Sequence, residues 1–122
     1  MISLHYINKI DFAGSEIEVA KYLNFYPGMR EEFPTSISGF IVGIGASVPT
    51  VKGETKVQLT NARALGGRTS VILDLDHRWT EKDGIQIEDV EAWLDAAHKH
   101  LVHLFESCIT DRTRELFGKP NE

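Results

Sequence analysis

Asp74-Leu75-Asp76-His77-Arg78 is the sharpest polar cluster in this chain. On an extended strand Asp74 and Asp76 project from the same face about 7 Å apart, with His77 following directly. Two carboxylates and an imidazole at that spacing suit a divalent cation or an acid–base pair, so one reading is a metal-dependent hydrolase centred on Asp74, Asp76 and His77. The competing reading is structural: Leu73 and Leu75 face a core and the aspartates are solvated. No further ligand set lies nearby in sequence, which favours the structural reading. No catalytic residue, metal ligand or cofactor is assigned.

A second cluster is His98-Lys99-His100-Leu101-Val102-His103. His100 and His103 stand i and i+3 on a helix, close enough for one metal ion to touch both, but zinc takes three or four ligands and no second pair has suitable spacing. The histidines read as surface residues, His98 as half-buried and donating to a backbone carbonyl. Cys108 falls on an apolar helical stripe and reads as core. Gly43-Ile44-Gly45 runs strand to strand without the third glycine of a dinucleotide loop, and Gly66-Gly67-Arg68-Thr69 lacks a phosphate-loop lysine.

Charge says more than any motif. Between Asp74 and Asp95 stand eight acidic residues (74, 76, 81, 83, 88, 89, 91 and 95) against Arg78 and Lys82, a local balance of −6 in a chain of net charge −5. Such a stretch suits an acidic docking surface for a basic protein. The residues expected to carry it are Asp74, Asp76, Glu81, Asp83, Glu88, Asp89 and Glu91. The same balance argues against direct nucleic-acid binding and against anionic membranes.

The elements that hold these residues follow from periodicity. Ile2, Leu4, Tyr6 and Ile10 alternate with Ser3, His5 and Lys9, which predicts a half-buried strand in which Asn8 needs a partner. Ser15 and Glu18 form a capping box for a short helix that ends at Pro27-Gly28. Apolar residues and glycines from Ile37 to Val48 predict a curved or bulged strand, followed by a turn at Lys52-Gly53-Glu54. Thr55 to Ala64 alternates with Val57 and Leu59 inward, Gly66-Gly67 marks a hairpin, and Val71 to Asp76 is the strongest strand. From Glu88 to Phe117 the period becomes helical, with Val90, Leu94, Ala97, Leu101, Leu104, Phe105 and Cys108 on one face. That helix would be about 45 Å long, with Thr110 and Asp111 as a place to kink.

The expected fold is therefore α+β, in the order β-α-β-β-β-α, with an antiparallel sheet of about four strands covered by a long C-terminal helix. Residues 1–122 are of a size to form a single domain. One cysteine, no signal peptide and no apolar run near the about 20 residues of a membrane span place the expected location in the cytoplasm.

Several blocks also resemble a known family. These are Tyr6-Ile7-Asn8-Lys9-Ile10-Asp11, Tyr22-Leu23-Asn24 before Tyr26-Pro27, and Leu73-Asp74-Leu75-Asp76. The most specific is Phe105-Glu106-Ser107-Cys108-Ile109-Thr110-Asp111-Arg112-Thr113-Arg114-Glu115-Leu116-Phe117-Gly118. Together they resemble the C-terminal half of an uncharacterised, sporadically distributed prokaryotic family, with the N-terminal half absent. The patchy distribution implied by this resemblance points to accessory genes of mobile-element, anti-defence (anti-CRISPR-like) or toxin–antitoxin loci. The function expected is that of a non-enzymatic protein-interaction module, acting as an inhibitor or neutraliser. A symmetric homodimer is expected as well, because a four-stranded sheet has two faces and few helices to cover them. Its interface is expected at Ile7, Phe12, Phe25, Tyr26 and Phe33.

Overall fold

Alternation along the first strand is as regular as the sequence suggests. In β1 (Ser3–Phe12), Leu4, Tyr6, Asn8, Ile10 and Phe12 turn inward, while Ser3, His5, Ile7, Lys9 and Asp11 face out. Asn8, the polar residue on the buried side, donates from Nδ2 to the Leu73 carbonyl at 3.3 Å, so its amide is satisfied by the neighbouring strand. This computed structural model describes residues 2–12, 22–25, 39–63 and 69–117. The short helix expected after Ser15 lies outside the described residues except at its end, where Leu23 bridges antiparallel to Ile109. The Gly66-Gly67 turn also lies outside them.

Three further strands, β2 (Ile41–Val48), β3 (Val51–Arg63) and β4 (Thr69–Arg78), complete one antiparallel sheet in the order β1-β4-β3-β2. The turn between β2 and β3 is Pro49-Thr50, not Lys52-Gly53-Glu54. Those three residues form an irregularity within β3: pairing moves from Ala46↔Thr55 to Val48↔Val51, so β3 spends more residues than β2. Gly53 has φ +122°, a conformation side chains rarely adopt, and a Cβ there would overlap the Arg78 carbonyl oxygen. Glycine is present for a bulge and not for a turn.

Helix α1 (Ile87–Cys108) lies across β1, β4 and β3 but does not reach β2. It buries Trp93, Ala97, Leu101 and Cys108. The main core sets Leu101, Cys108 and Ile109 against Ile10, Phe12, Val57, Leu59, Val71, Leu73 and Leu75; a smaller one joins Trp93 and Ala97 to Val51. The single long helix expected to Phe117 is broken. Ile109 is extended and 2% exposed, and a six-residue helix α2 (Asp111–Leu116) follows. The break has a tertiary cause: Asn24 N–H donates to the Cys108 carbonyl at 2.8 Å and Thr110 N–H donates to the Tyr22 carbonyl at 2.9 Å. The 22–25 segment thus takes over hydrogen bonds that a continuous helix would have made internally. Among the described residues no helix is long and apolar enough to cross a membrane.

Candidate functional site

Strand parity separates the residues expected to act together. Asp74 and Asp76 lie on the outer face of β4, whereas His77 follows Leu73 and Leu75 onto the inner face and is 0% exposed. Asp74 pairs with His5 across β1, and Asp76 accepts from Arg78 Nε at 3.1 Å. The hydrogen bond and charge of Asp76 push the Arg78 guanidinium further up. The structure therefore does not bring Asp74 and Asp76 together with His77, and among the described residues no group of three potential ligands gathers anywhere.

His77 belongs to a different constellation. Its Nε2 lies 3.0 Å from the Lys52 carbonyl, and a carbonyl only accepts, so Nε2 carries the proton. With that proton on Nε2, Nδ1 is placed to accept from the Thr55 hydroxyl 2.8 Å away. With its proton so used, Thr55 Oγ1 accepts from His100 Nε2 at 2.9 Å. Trp93 Nε1 donates to the same Lys52 carbonyl at 2.8 Å, and its indole lies 5.5 Å from the His77 ring. The bulge at Gly53 thus turns the Lys52 carbonyl to receive two side-chain donors.

A hydroxyl held by an imidazole resembles an activated nucleophile, but Thr55 is 2% exposed and His77 is sealed, so no substrate atom reaches the pair. The chain of hydrogen bonds ties β3 and β4 to α1. Burial, followed by the nearby His77 and His103 rings, lowers the His100 pKa. His98 is exposed and meets the Tyr6 hydroxyl, not a backbone carbonyl, and His103 is exposed. Cys108 is buried and desolvation pushes its thiol up, which removes it as a nucleophile.

The acidic residues divide into two groups. Several are engaged: Asp11 with Ser70 and Lys9, Asp74 with His5, Asp76 with Arg78, Asp95 with Lys99, and Glu106 and Asp111 with Arg114, while Glu54 and Glu115 make no ion pair among the described residues. Glu81, Asp83, Glu88, Asp89 and Glu91 are exposed, and among the described residues no ion pair engages them. They occupy the connector from β4 and the first turns of α1, whose N-cap Gln86 makes no side-chain cap bond. Beside them opens a cavity of about 660 Å³ lined by residues that include Ile2, Arg78, Trp79, Glu81, Lys82 and Ile85. Trp79 Nε1 is buried and has no hydrogen-bond partner among the described residues.

Of the five residues expected at a dimer interface, the three that are described do not share a surface. Ile7 is exposed on the outer face, Phe12 is 1% exposed in the core on the inner face, and Phe25 packs against that core. Tyr26 and Phe33 lie outside the described residues. Phe12 is drawn inward by the parity of β1 and by the Tyr22 ring 4.6 Å away.

No family model matches this chain, no curated protein matches it and no solved structure matches it.

Proposed function

We propose that this protein is a non-enzymatic interaction module that receives a basic segment of another protein on its acidic connector and the first turns of α1. The observation that carries the reading is the division of carboxylates. Among the described residues Glu81, Asp83, Glu88, Asp89 and Glu91 make no ion pair, and they are gathered within eleven residues of chain. Unpaired like charges repel one another, and a cationic partner relieves that repulsion while gaining a fast, steered approach.

The neighbouring cavity supports the same reading. Ile2, Trp79 and Ile85 give it apolar walls that suit an anchoring side chain, the usual centre of a binding hot spot. As an inhibitor or neutraliser, the role implied by the sequence resemblance, the module would act by occupying a basic surface that its target needs. The test is capture of partners from a host lysate by the wild type and by a Glu81→Lys, Asp83→Lys, Glu88→Lys, Asp89→Lys variant of matching circular dichroism. The reading predicts salt-sensitive capture that the reversal abolishes. Equal capture by the two proteins would overturn it.

A further inference from the structure

Helix α1 meets the sheet through two separate cores. Toward its C-terminus Leu101 and Cys108 join the large set that includes Leu59, Leu73 and Leu75, and Asn24 N–H holds the Cys108 carbonyl at 2.8 Å. Toward its N-terminus the buried apolar set is only Val51, Trp93 and Ala97, with partly buried neighbours such as Trp79. Three imidazoles stand where the two cores meet. The His77 ring of β4 lies 5.5 Å from Trp93 and 5.4 Å from His100, two residues on one face of α1. His100 is partly buried, its Nε2 lies 2.9 Å from the Thr55 hydroxyl of β3, and His103 follows one turn later. Among the described residues no carboxylate pairs with any of these three rings; the imidazole that has one is His5, with Asp74 on the outer face. A proton added to His100 therefore puts a charge against the sheet without a counter-ion, whereas water would solvate it.

We propose that this junction is a pH-operated latch: mild acid releases the first half of α1, residues 87–100, from the sheet while the main core stays closed. Local opening follows the part that buries least apolar surface, which here is the smaller core. That half also starts from an N-cap, Gln86, that makes no side-chain bond to the first turn. The sign comes from His100. Burial first, then His77 facing it from β4 and His103 on its own helix, lower its pKa in the docked helix. Released into water, the ring returns to the ordinary 6.5, so release gains as pH falls through 6.5 and gains nothing above it. The main core holds no imidazole, so the same proton does not act on it directly. The latch invokes no partner and stands independently of the docking reading.

The chain carries its own reporter for each core. Both of its tryptophans, Trp79 and Trp93, belong to the smaller core, and its single cysteine, Cys108, lies buried in the main one. Tryptophan emission and acrylamide quenching are followed from about pH 7.5 to about pH 5, with the reaction of Cys108 with dithiodipyridine measured in the same samples. In the wild type, emission should move to longer wavelength and quenching should rise while the thiol stays protected. His100→Gln keeps a donor for Thr55 but cannot titrate, so its emission should not respond to pH. His5→Gln, on the outer face, should respond as the wild type does. No tryptophan change down to about pH 5, a thiol that opens together with the tryptophans, an unaltered response in His100→Gln, or a lost response in His5→Gln would overturn the proposal.

Discussion

Thr55 and His77 are direct cross-strand partners, and their side chains close a 2.8 Å hydrogen bond on the buried face of the sheet. Because Thr55 also accepts from His100 on α1, one hydroxyl satisfies two imidazoles. Thr55→Val keeps the shape but removes the partner of His77 Nδ1 and of His100 Nε2. An unsatisfied buried group costs about 1–3 kcal/mol, so urea denaturation should show a loss in that range or above, with Thr55→Ser restoring most of it. Equal stability of the Val and Ser variants would contradict a stabilising role for this hydroxyl.

His100 gives that network a pH dependence whose sign is fixed. Burial first, and then the His77 and His103 rings, lower its pKa below the ordinary 6.5. As pH falls through 6.5 the unfolded chain takes up a proton that the folded chain refuses, so stability falls until the lowered folded pKa is reached. Above 6.5 both states are neutral and this contribution is flat. Melting temperatures measured from about pH 8 to about pH 5 should fall in the wild type, and the part of the decline due to this residue should be missing in His100→Gln. A decline of the same size in the variant would count against it.

Gly53 permits the backbone geometry that aims the Lys52 carbonyl. With φ +122°, and with the Arg78 carbonyl where a Cβ would stand, Gly53→Ala cannot be accommodated without shifting β3 against β4. The left-handed backbone and the collision together should cost more than about 2 kcal/mol. Gly84 has φ +69° but nothing within 4 Å of the point where a Cβ would stand, so it should lose less on the same change. Chemical denaturation of the two alanine variants compares them directly, and equal losses would show that the bulge is not crowded.

Much of this architecture is legible in the sequence, and the misses have physical causes. Alternation in β1, the inward Val57 and Leu59, and the Leu94–Leu101–Cys108 stripe all report local periodicity, which the chain obeys. Lys52-Gly53-Glu54 reads as a turn because glycine marks a positive φ without saying whether a turn or a bulge requires it. The helix break at Ile109 comes from the 22–25 segment, a distant partner that no local pattern names. Proximity groups His77 with Asp74 and Asp76, although its parity with Leu73 and Leu75 already points inward. Thr55 and His100 stand 22 and 45 residues from their partners His77 and Thr55, so the network joins elements that periodicity treats separately.

The α1 face has its own contrast. Leu101 is fully buried against the sheet, while Lys99 is exposed and pairs with Asp95 at 3.1 Å. Leu101→Asp should cost about 4 kcal/mol or prevent folding, because a charge is buried without a partner. Lys99→Asp should cost about 0.5 kcal/mol, the worth of an exposed helix ion pair. Thermal melts of both variants check the orientation of the helix, and similar losses would mean that the wrong face had been assigned to the core.

Zero-length carbodiimide cross-linking of the wild-type protein with its captured partner, followed by peptide mapping, tests the acidic docking surface most directly. The reagent joins a carboxylate only to an amine in contact with it. The account predicts links from Glu81, Asp83, Glu88, Asp89 or Glu91 to partner lysines, which raised salt suppresses as screening shortens the reach of the charges. Links confined to the carboxylates already engaged within the fold, such as Asp74, Asp95 or Glu106, with none from residues 81–91, would contradict it.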